Sequence, residues 1–306
     1  MSLLVVGSVA LDSVETPFGA RDNALGGSAT YFSAAASLLT EVGVVGVIGD
    51  DFPIEELAFL RDRRVRLEGL EKVSGRTFRW KGKYGFDLNS AQTLDTQLNV
   101  FETFDPKLDE WARKADRIFL GNIDPELQLR VLDQVQNPKL VAADTMNFWI
   151  SGKRAKLLEL LKRVDVLLVN DGEARQLSGE ANVLKAARAI AKMGPKYVVV
   201  KRGEYGALLL HGAETFHAPA FPLADVLDPT GAGDTFAGGF LGLLDRLNTT
   251  DVGALKQALV MGSTLASFTV EQFSMDRLRE LSMVEVMARF GSFRALTHFD
   301  DLDAIS

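Results

Sequence analysis

The residues best placed for chemistry are an aspartate and the small residues before it. The stretch DPTGAGDTFAGGF, Asp228 to Phe240, sets Gly231, Ala232, Gly233 and Asp234 directly ahead of an apolar run suited to a buried helix. The first N–H groups of such a helix have no intrahelical acceptor, and with the positive end of the helix dipole they attract an anion. Small residues let a phosphate approach the backbone, while Pro229 stiffens the entry. Asp234 has two readings that the local sequence leaves open. It stabilises the helix dipole, worth about 0.3–1 kcal/mol, or it is a general base that takes the proton of a hydroxyl attacking a transferring phosphoryl group.

Other chemistries are excluded by what the chain lacks. It has no cysteine, which removes disulfides, thiolate metal sites and cysteine nucleophiles, and His211, His217 and His298 are scattered without ligand spacing. A P-loop needs Ser or Thr after Gly-Lys, but Tyr84 follows Gly82-Lys83 and Arg154 follows Gly152-Lys153. A dinucleotide fingerprint from Gly231 would need a small residue where Phe236 stands. The zincin and nucleophile-elbow patterns are absent as well. A net charge of -7, with both signs interspersed, argues against a nucleic-acid or anionic-membrane surface. No apolar run reaches the roughly 18 residues of a membrane span, and Asp12 interrupts the N-terminal run too early for a signal peptide. The expected location is the cytoplasm.

The elements that must position these residues follow from the hydrophobic pattern. With 306 residues and 47% apolar content the chain can build a large core. Apolar, β-branched runs near Leu3, Val42, Arg117, Leu140, Val164 and Tyr197 predict strands. Helical patterns lie between several of them, at Ser28–Leu39, Gly152–Leu161 and Asn182–Met193. This alternation predicts an α/β layer fold on a mainly parallel sheet. After Gly206 a hairpin is expected, then helices over Thr235–Leu247 and Val252–Val270, and one amphipathic helix from Met275 to Phe290. The segment GRTFRWKGKYGFD breaks the pattern. Phe78, Trp80, Tyr84 and Phe86 alternate with Thr77, Arg79, Lys81 and Lys83, which predicts a two-faced hairpin with KGK at its centre. It either covers core as an edge hairpin, or closes on a ligand or a second subunit with its aromatic face.

Taken together, the motifs resemble the ribokinase-like carbohydrate kinases, the phosphofructokinase B family. DPTGAGDTFAGGF is similar to that family's C-terminal signature, and GGSATYFSAAASLL from Gly26, followed by VGVVGVIGDDF, to its N-terminal glycine pair and helix. NDGE, Asn170 to Glu173, resembles its Asn-x-x-Glu motif, and KRGEYG, Lys201 to Gly206, its nucleotide-site strand and turn. The resemblance implies a single domain over residues 1–306: a three-layer α/β/α sandwich with a mainly parallel central sheet, plus a small β-lid from segments around 11–25 and 74–104. It implies ATP as phosphoryl donor and a small-molecule alcohol as acceptor. By position, Asp234 becomes the base and contacts the substrate, and Gly231, Ala232 and Gly233 become the anion hole. Asn170, Lys201, Gly203, Gly206 and Thr230 would bind ATP. Asn170 and Glu173 would organise magnesium through water, and Asp228 is the position that holds a monovalent cation, potassium, in some members. Asp12, Gly26 and Gly27 would bind the acceptor. The local alternatives remain: Asn170 or Asp171 as a helix cap, Lys201 to Gly206 as a plain turn, Gly26-Gly27 as a turn before a helix.

Two departures bear on the acceptor. Tyr31 and Phe32 stand where sugar-specific members often carry a polar residue, and DTMNFW, Asp144 to Trp149, ends in an aromatic where arginine is frequent. The expected acceptor is a sugar or sugar derivative. A nucleoside is the alternative, because Tyr31, Phe78, Trp80 or Trp149 could stack on a base. Arg76, Arg79, Lys81 and Lys83 would favour an anionic acceptor unless they form a solvated face. A catalytically silent sugar or nucleotide sensor is a further class, disfavoured by the intact Asp234. No nucleic-acid or membrane partner is expected, and the lid offers a surface for a homodimer.

Overall fold

The apolar runs become strands of one large sheet. The computed structural model describes residues 3–299. Among them thirteen strands follow in chain order: β1 (Leu3–Val6), β2 (Ala10–Thr16), β3 (Gly19–Gly26), β4 (Val42–Ile48), β5 (Arg66–Lys72), β6 (Arg79–Tyr84), β7 (Ala91–Gln97), β8 (Arg117–Leu120), β9 (Leu140–Asp144), β10 (Val166–Asn170), β11 (Tyr197–Lys201), β12 (Ala207–His211) and β13 (Glu214–Ala218). Nine form a sheet in the order β13-β12-β11-β10-β9-β8-β1-β4-β5, and four form a second in the order β3-β2-β6-β7. The large sheet is parallel from β5 to β11; β12 and β13 add an antiparallel edge.

Strands buried on both faces need an apolar residue at every position, which is why these runs are continuous. Leu3 and Val5 enter one core with Phe32, Phe240 and Leu244, while Leu4 and Val6 enter the other with Ala112, Leu129 and Leu160. Helices therefore cover both faces, giving the expected three layers. On one face the helix Ser28–Ala36 is buried at all nine positions against the helix Ala232–Leu247, which in turn packs on the helix Val252–Thr269. Gly238 permits this approach, since a Cβ there would stand 2.4 Å from the carbonyl oxygen of Phe32. Ser28 and Ser8 exchange hydrogen bonds, Ser28 N to Ser8 Oγ at 3.0 Å and Ser8 N to Ser28 Oγ at 3.1 Å, pinning the helix start to the exit of β1.

Two expectations are corrected. Lys81-Gly82-Lys83 is no turn: it lies inside β6, which pairs in parallel with β2 and antiparallel with β7. Gly82 is needed there because the Trp80 ring lies over it, a Cβ falling 2.0 Å from the indole. The chain reverses after Tyr84, so Phe86 belongs to the connection and is 87% exposed. The tail is two helices, Asp276–Glu280 and Met283–Thr297, because Leu281 is extended and Ser282 starts a new helix through a capping box with Glu285. The helix expected over Gly152–Leu161 is found at Arg154–Leu161, after a separate short helix Asn147–Gly152, with Lys153 non-helical between them. Among the described residues no helix is long and apolar enough to cross a membrane.

Candidate active site

Parallel strands deliver their C-terminal ends to one edge of the sheet, the position where open α/β sheets bind ligands. Here Asp144 ends β9, Asn170 ends β10 and Lys201 ends β11. The N-terminus of helix Ala232–Leu247 belongs to the same constellation, because Gly233 lies against the Lys201 ammonium. Gly231 is the N-cap, at φ 75°, and carries no side chain to cap the helix. The Tyr31 ring packs directly on it: a Cβ at Gly231 would fall 2.3 Å from ring carbons. Glycine is therefore required twice over, by backbone angle and by the aromatic beneath. Among the described residues the N–H groups of Gly233 and Asp234 have no backbone acceptor, and that of Asp234 turns to its own carboxyl, which leaves the Gly233 N–H facing out of the helix end.

Asp234 sits on that first turn in a crowded electrostatic setting. Burial, and then the charge of Asp144, push its carboxyl up to about 7, with Lys201 opposing. Burial and then Asp144 likewise raise Glu173 to about 7. Lys201 Nζ donates to Asp144 Oδ2 at 2.7 Å. Burial alone would depress that ammonium, but Asp144, Glu173 and Asp234 outweigh it and hold it above its ordinary range. The local sequence gives Asp144 no role. Its signal was the acid at the end of an apolar strand, and the sheet topology had to bring it to Lys201.

Asp12 enters from the second sheet. Its carboxyl is raised to about 7 by burial, partly offset by the backbone N–H of Gly27, with Asp228 and Asp234 adding repulsion. Gly26 must lack a Cβ, which would fall 1.9 Å from Asp12 Oδ2, and Gly27, at φ 95°, would put one 2.4 Å from the carbonyl oxygen of Ser8. Both glycines thus let helix Ser28–Ala36 and Asp12 meet closely. Tyr84 reaches the same place from β6: the Thr230 hydroxyl donates to its phenol oxygen at 3.4 Å. Burial pushes that phenol up to about 12, with Asp228, Asp12 and Asp234 adding to the rise. Tyr31 is driven in the same direction by the same causes.

Several expected residues have structural work as well. Asn170 and Glu173 form a capping box, Asn170 Oδ1 accepting from Glu173 N and Glu173 Oε2 from Asn170 N, both at 2.8 Å. The helix-cap reading of that motif is therefore realised. Asp228 accepts from Thr230 N at 2.9 Å and Ser274 N at 3.1 Å, tying two loops. Gly203 and Gly206 take positive φ in the turn after β11, and Gly206 lies against the Ala218 carbonyl.

The aromatic and basic side chains separate by face. Phe78 packs on Phe101, and Trp149 donates its indole N–H to Asn122 at 3.0 Å. Arg79 pairs with Asp51 at 2.8 Å and Lys83 with Glu15, so these basic residues belong to the solvated face. Trp80, in register with Asp12, shares a face with Tyr84.

The arrangement places a helix N-terminus with small residues beside the buried Asp234 carboxyl, with Asp12 as a second buried carboxyl nearby. Comparison with known proteins agrees. Residues 10–278 match the family model described as pfkB family carbohydrate kinase. The chain is 32% identical over 248 residues to a cytidine kinase of Thermococcus kodakarensis, covering 79% of this chain and 87% of that one. In structure it resembles a nucleoside kinase of Methanocaldococcus jannaschii, described as an archaeal member of the ribokinase family, with a TM-score of 0.76 at 20% identity over 95% of this chain and 99% of that one. It also resembles a Burkholderia thailandensis nucleoside kinase in complex with inosine, with a TM-score of 0.77 at 19% identity over 96% and 99%. A ribokinase-like fold and a family match over most of the chain agree: this protein belongs to the pfkB family of carbohydrate kinases and is a phosphotransferase of its sugar and nucleoside kinase group.

Proposed function

We propose that this protein transfers the γ-phosphoryl group of ATP to a sugar hydroxyl of a nucleoside, in preference to the free sugar first expected. The observation that carries the reading is that two aromatic rings reach the loop before Asp234, Tyr31 packing on Gly231 and Tyr84 meeting the Thr230 hydroxyl, with Asp12 in register with Trp80 on the adjoining strand. Asp12 supplies acceptor oxygens for vicinal hydroxyls. Trp80 and Tyr84, on the face shared with Asp12, supply aromatic surface for a base. The similarity to a cytidine kinase supports the same choice.

In the reaction Asp234 takes the proton of the acceptor hydroxyl as its oxygen bonds to the γ-phosphorus; the bond to the bridging oxygen breaks and ADP leaves. The proton on Asp234 then passes to solvent. The Gly233 N–H meets the charge on the phosphoryl oxygens. Magnesium fits the donor set: Glu173 presents a carboxylate with one oxygen, Oε2, engaged by the Asn170 N–H, and its charge is disfavoured until a cation arrives. Bound with ATP, magnesium would neutralise phosphate charge, with Glu173 holding it through water and Asn170 holding Glu173. Asp228, with both oxygens on backbone N–H groups, fits a loop tie better than a potassium ligand. The second sheet acts as the lid, and β7, exposed at all seven residues, is the edge through which two copies would pair.

ADP release measured over cytidine, uridine, adenosine, inosine, ribose and fructose tests the reading. Nucleosides are expected to exceed free sugars in kcat/KM by about 100-fold, roughly the loss when buried polar and aromatic contacts go unmade. Turnover of ribose or fructose at the nucleoside rate would overturn it, and binding without turnover of any acceptor would indicate a sensor.

A further inference from the structure

Lys201 stands out among the charged groups at the sheet edge. It follows four buried residues, Tyr197 to Val200, at the end of β11, and its stem passes over the first turn of helix Ala232–Leu247. A Cβ on Gly233 would be 3.1 Å from its Nζ and 3.7 Å from its Cε, so the ammonium lies in close contact with the first turn of the helix. Nζ donates to Asp144 Oδ2 at 2.7 Å, with the two side chains 15% and 8% exposed.

Packing does not account for this pair. Removing two ions from water offsets most of their attraction, and an apolar pair of similar volume serves stability as well. The surroundings point elsewhere. The glycine hole offers neutral N–H groups, and the side chain on the same turn, Asp234, is acidic. Glu173 and Asp12 add two more carboxylates to the constellation. A phosphoryl group brought among these acids gains from a cation beside the hole, and an ammonium with three donors can keep Asp144 and still face it.

We propose that Lys201 closes the glycine hole with its positive charge on the γ-phosphoryl group of ATP, and that Asp144 is a positioning residue that tethers the ammonium there. The pair thus adds the charged member that the backbone hole lacks. The inference rests on the reading that phosphoryl transfer occurs at Asp234. Lys201 is thereby assigned to the reacting phosphoryl rather than to the nucleotide in general.

The test is the binding of a non-hydrolysable ATP analogue, ADP and adenosine by calorimetry, with turnover on the best acceptor, for Lys201→Met, Lys201→Arg and Asp144→Asn. Lys201→Met should lower kcat by about 100-fold, the cost of losing one charge-stabilising donor. It should also weaken the ATP analogue relative to ADP by about 10-fold while leaving adenosine unchanged. Lys201→Arg should recover part of both effects, and Asp144→Asn should give a smaller loss of kcat with the same narrowing of the ATP-to-ADP ratio. Equal weakening of all three ligands, or a kcat at the parent level in Lys201→Met, would overturn the assignment. If Lys201→Met does not fold, an unchanged ATP-to-ADP ratio in both other variants overturns it. Failure of the parent to phosphorylate any acceptor would count against the underlying reading instead, because the ATP-to-ADP ratio is measured without turnover.

Discussion

One helix, Ala232–Leu247, has a buried ion pair beside each end, and the two pairs stand in different surroundings. At its C-terminal end Arg117 Nη1 donates to Asp245 at 2.9 Å, with the side chains 5% and 2% exposed. Arg117 Nη2 donates to Asn248 at 2.9 Å, and the Thr40 hydroxyl donates to Asp245. That end closes on itself: one guanidinium ties the start of β8 to the helix end. At the N-terminal end Lys201 and Asp144 meet at a similar distance, but Asp234 and Glu173 press their charges on the same ammonium. Identical chemistry thus serves as a clamp where charges balance, and leaves acids wanting a ligand where they do not.

The largest expected effect tests the ligand-hungry end. Asp234→Asn should lower kcat by about 10³-fold with nucleotide binding retained, as loss of a general base does; activity within a few-fold of the parent would remove Asp234 from that role. The clamp end comes next. Arg117→Met should cost about 3–5 kcal/mol in urea unfolding, because it strands a buried carboxylate, with acceptor KM unchanged in the protein that remains folded. Asp144→Asn should cost clearly less, since Lys201 keeps Glu173 and Asp234 as partners. Equal losses at the two ends would dissolve the distinction.

Two pH effects follow from the raised carboxyls. Asp234 must be ionised to act, so kcat/KM should climb with pH and level off above about 7. For stability the direction is opposite. Folded Asp234 binds its proton more tightly than the unfolded chain does at its ordinary value of 3.8, so its contribution is present below that value and is lost as pH rises through about 7. Asp234→Asn should therefore melt higher than the parent at pH 8, by about 2–4 °C per kcal/mol relieved, and equally at pH 3.5. The smallest effect should be that of Tyr84→Phe. Losing its contact with Thr230 should raise acceptor KM by about 2- to 5-fold, roughly what a neutral hydrogen bond contributes, with kcat nearly unchanged.

Much of the fold was legible because both determinants are local. Strands buried on two faces must be apolar throughout, so β1, β4 and β8 to β11 announce themselves as runs. The GAGD loop was legible because an uncapped helix end needs small residues in sequence. The KGK turn was misread because alternation says which face a residue takes, and β6 keeps its alternation through Gly82 while the Trp80 ring occupies the space. The split tail was missed because Ser282 and Glu285 cap a helix inside a pattern that stays amphipathic across the break.

The site divides along the same line. Sequence by itself determined the glycine loop at the helix start, the acid that follows it, the glycine pair and the strand ends, since each is a matter of which residues adjoin along the chain. Tertiary structure alone decided that Asp144 meets Lys201, that Tyr31 lies under Gly231, and that Tyr84 crosses from β6 to Thr230. Those contacts join residues 57 and 146 positions apart in the two hydrogen-bonded cases. No local periodicity encodes such pairs: the order of strands in a sheet, which brings them together, is set by how two cores pack and not by any one segment.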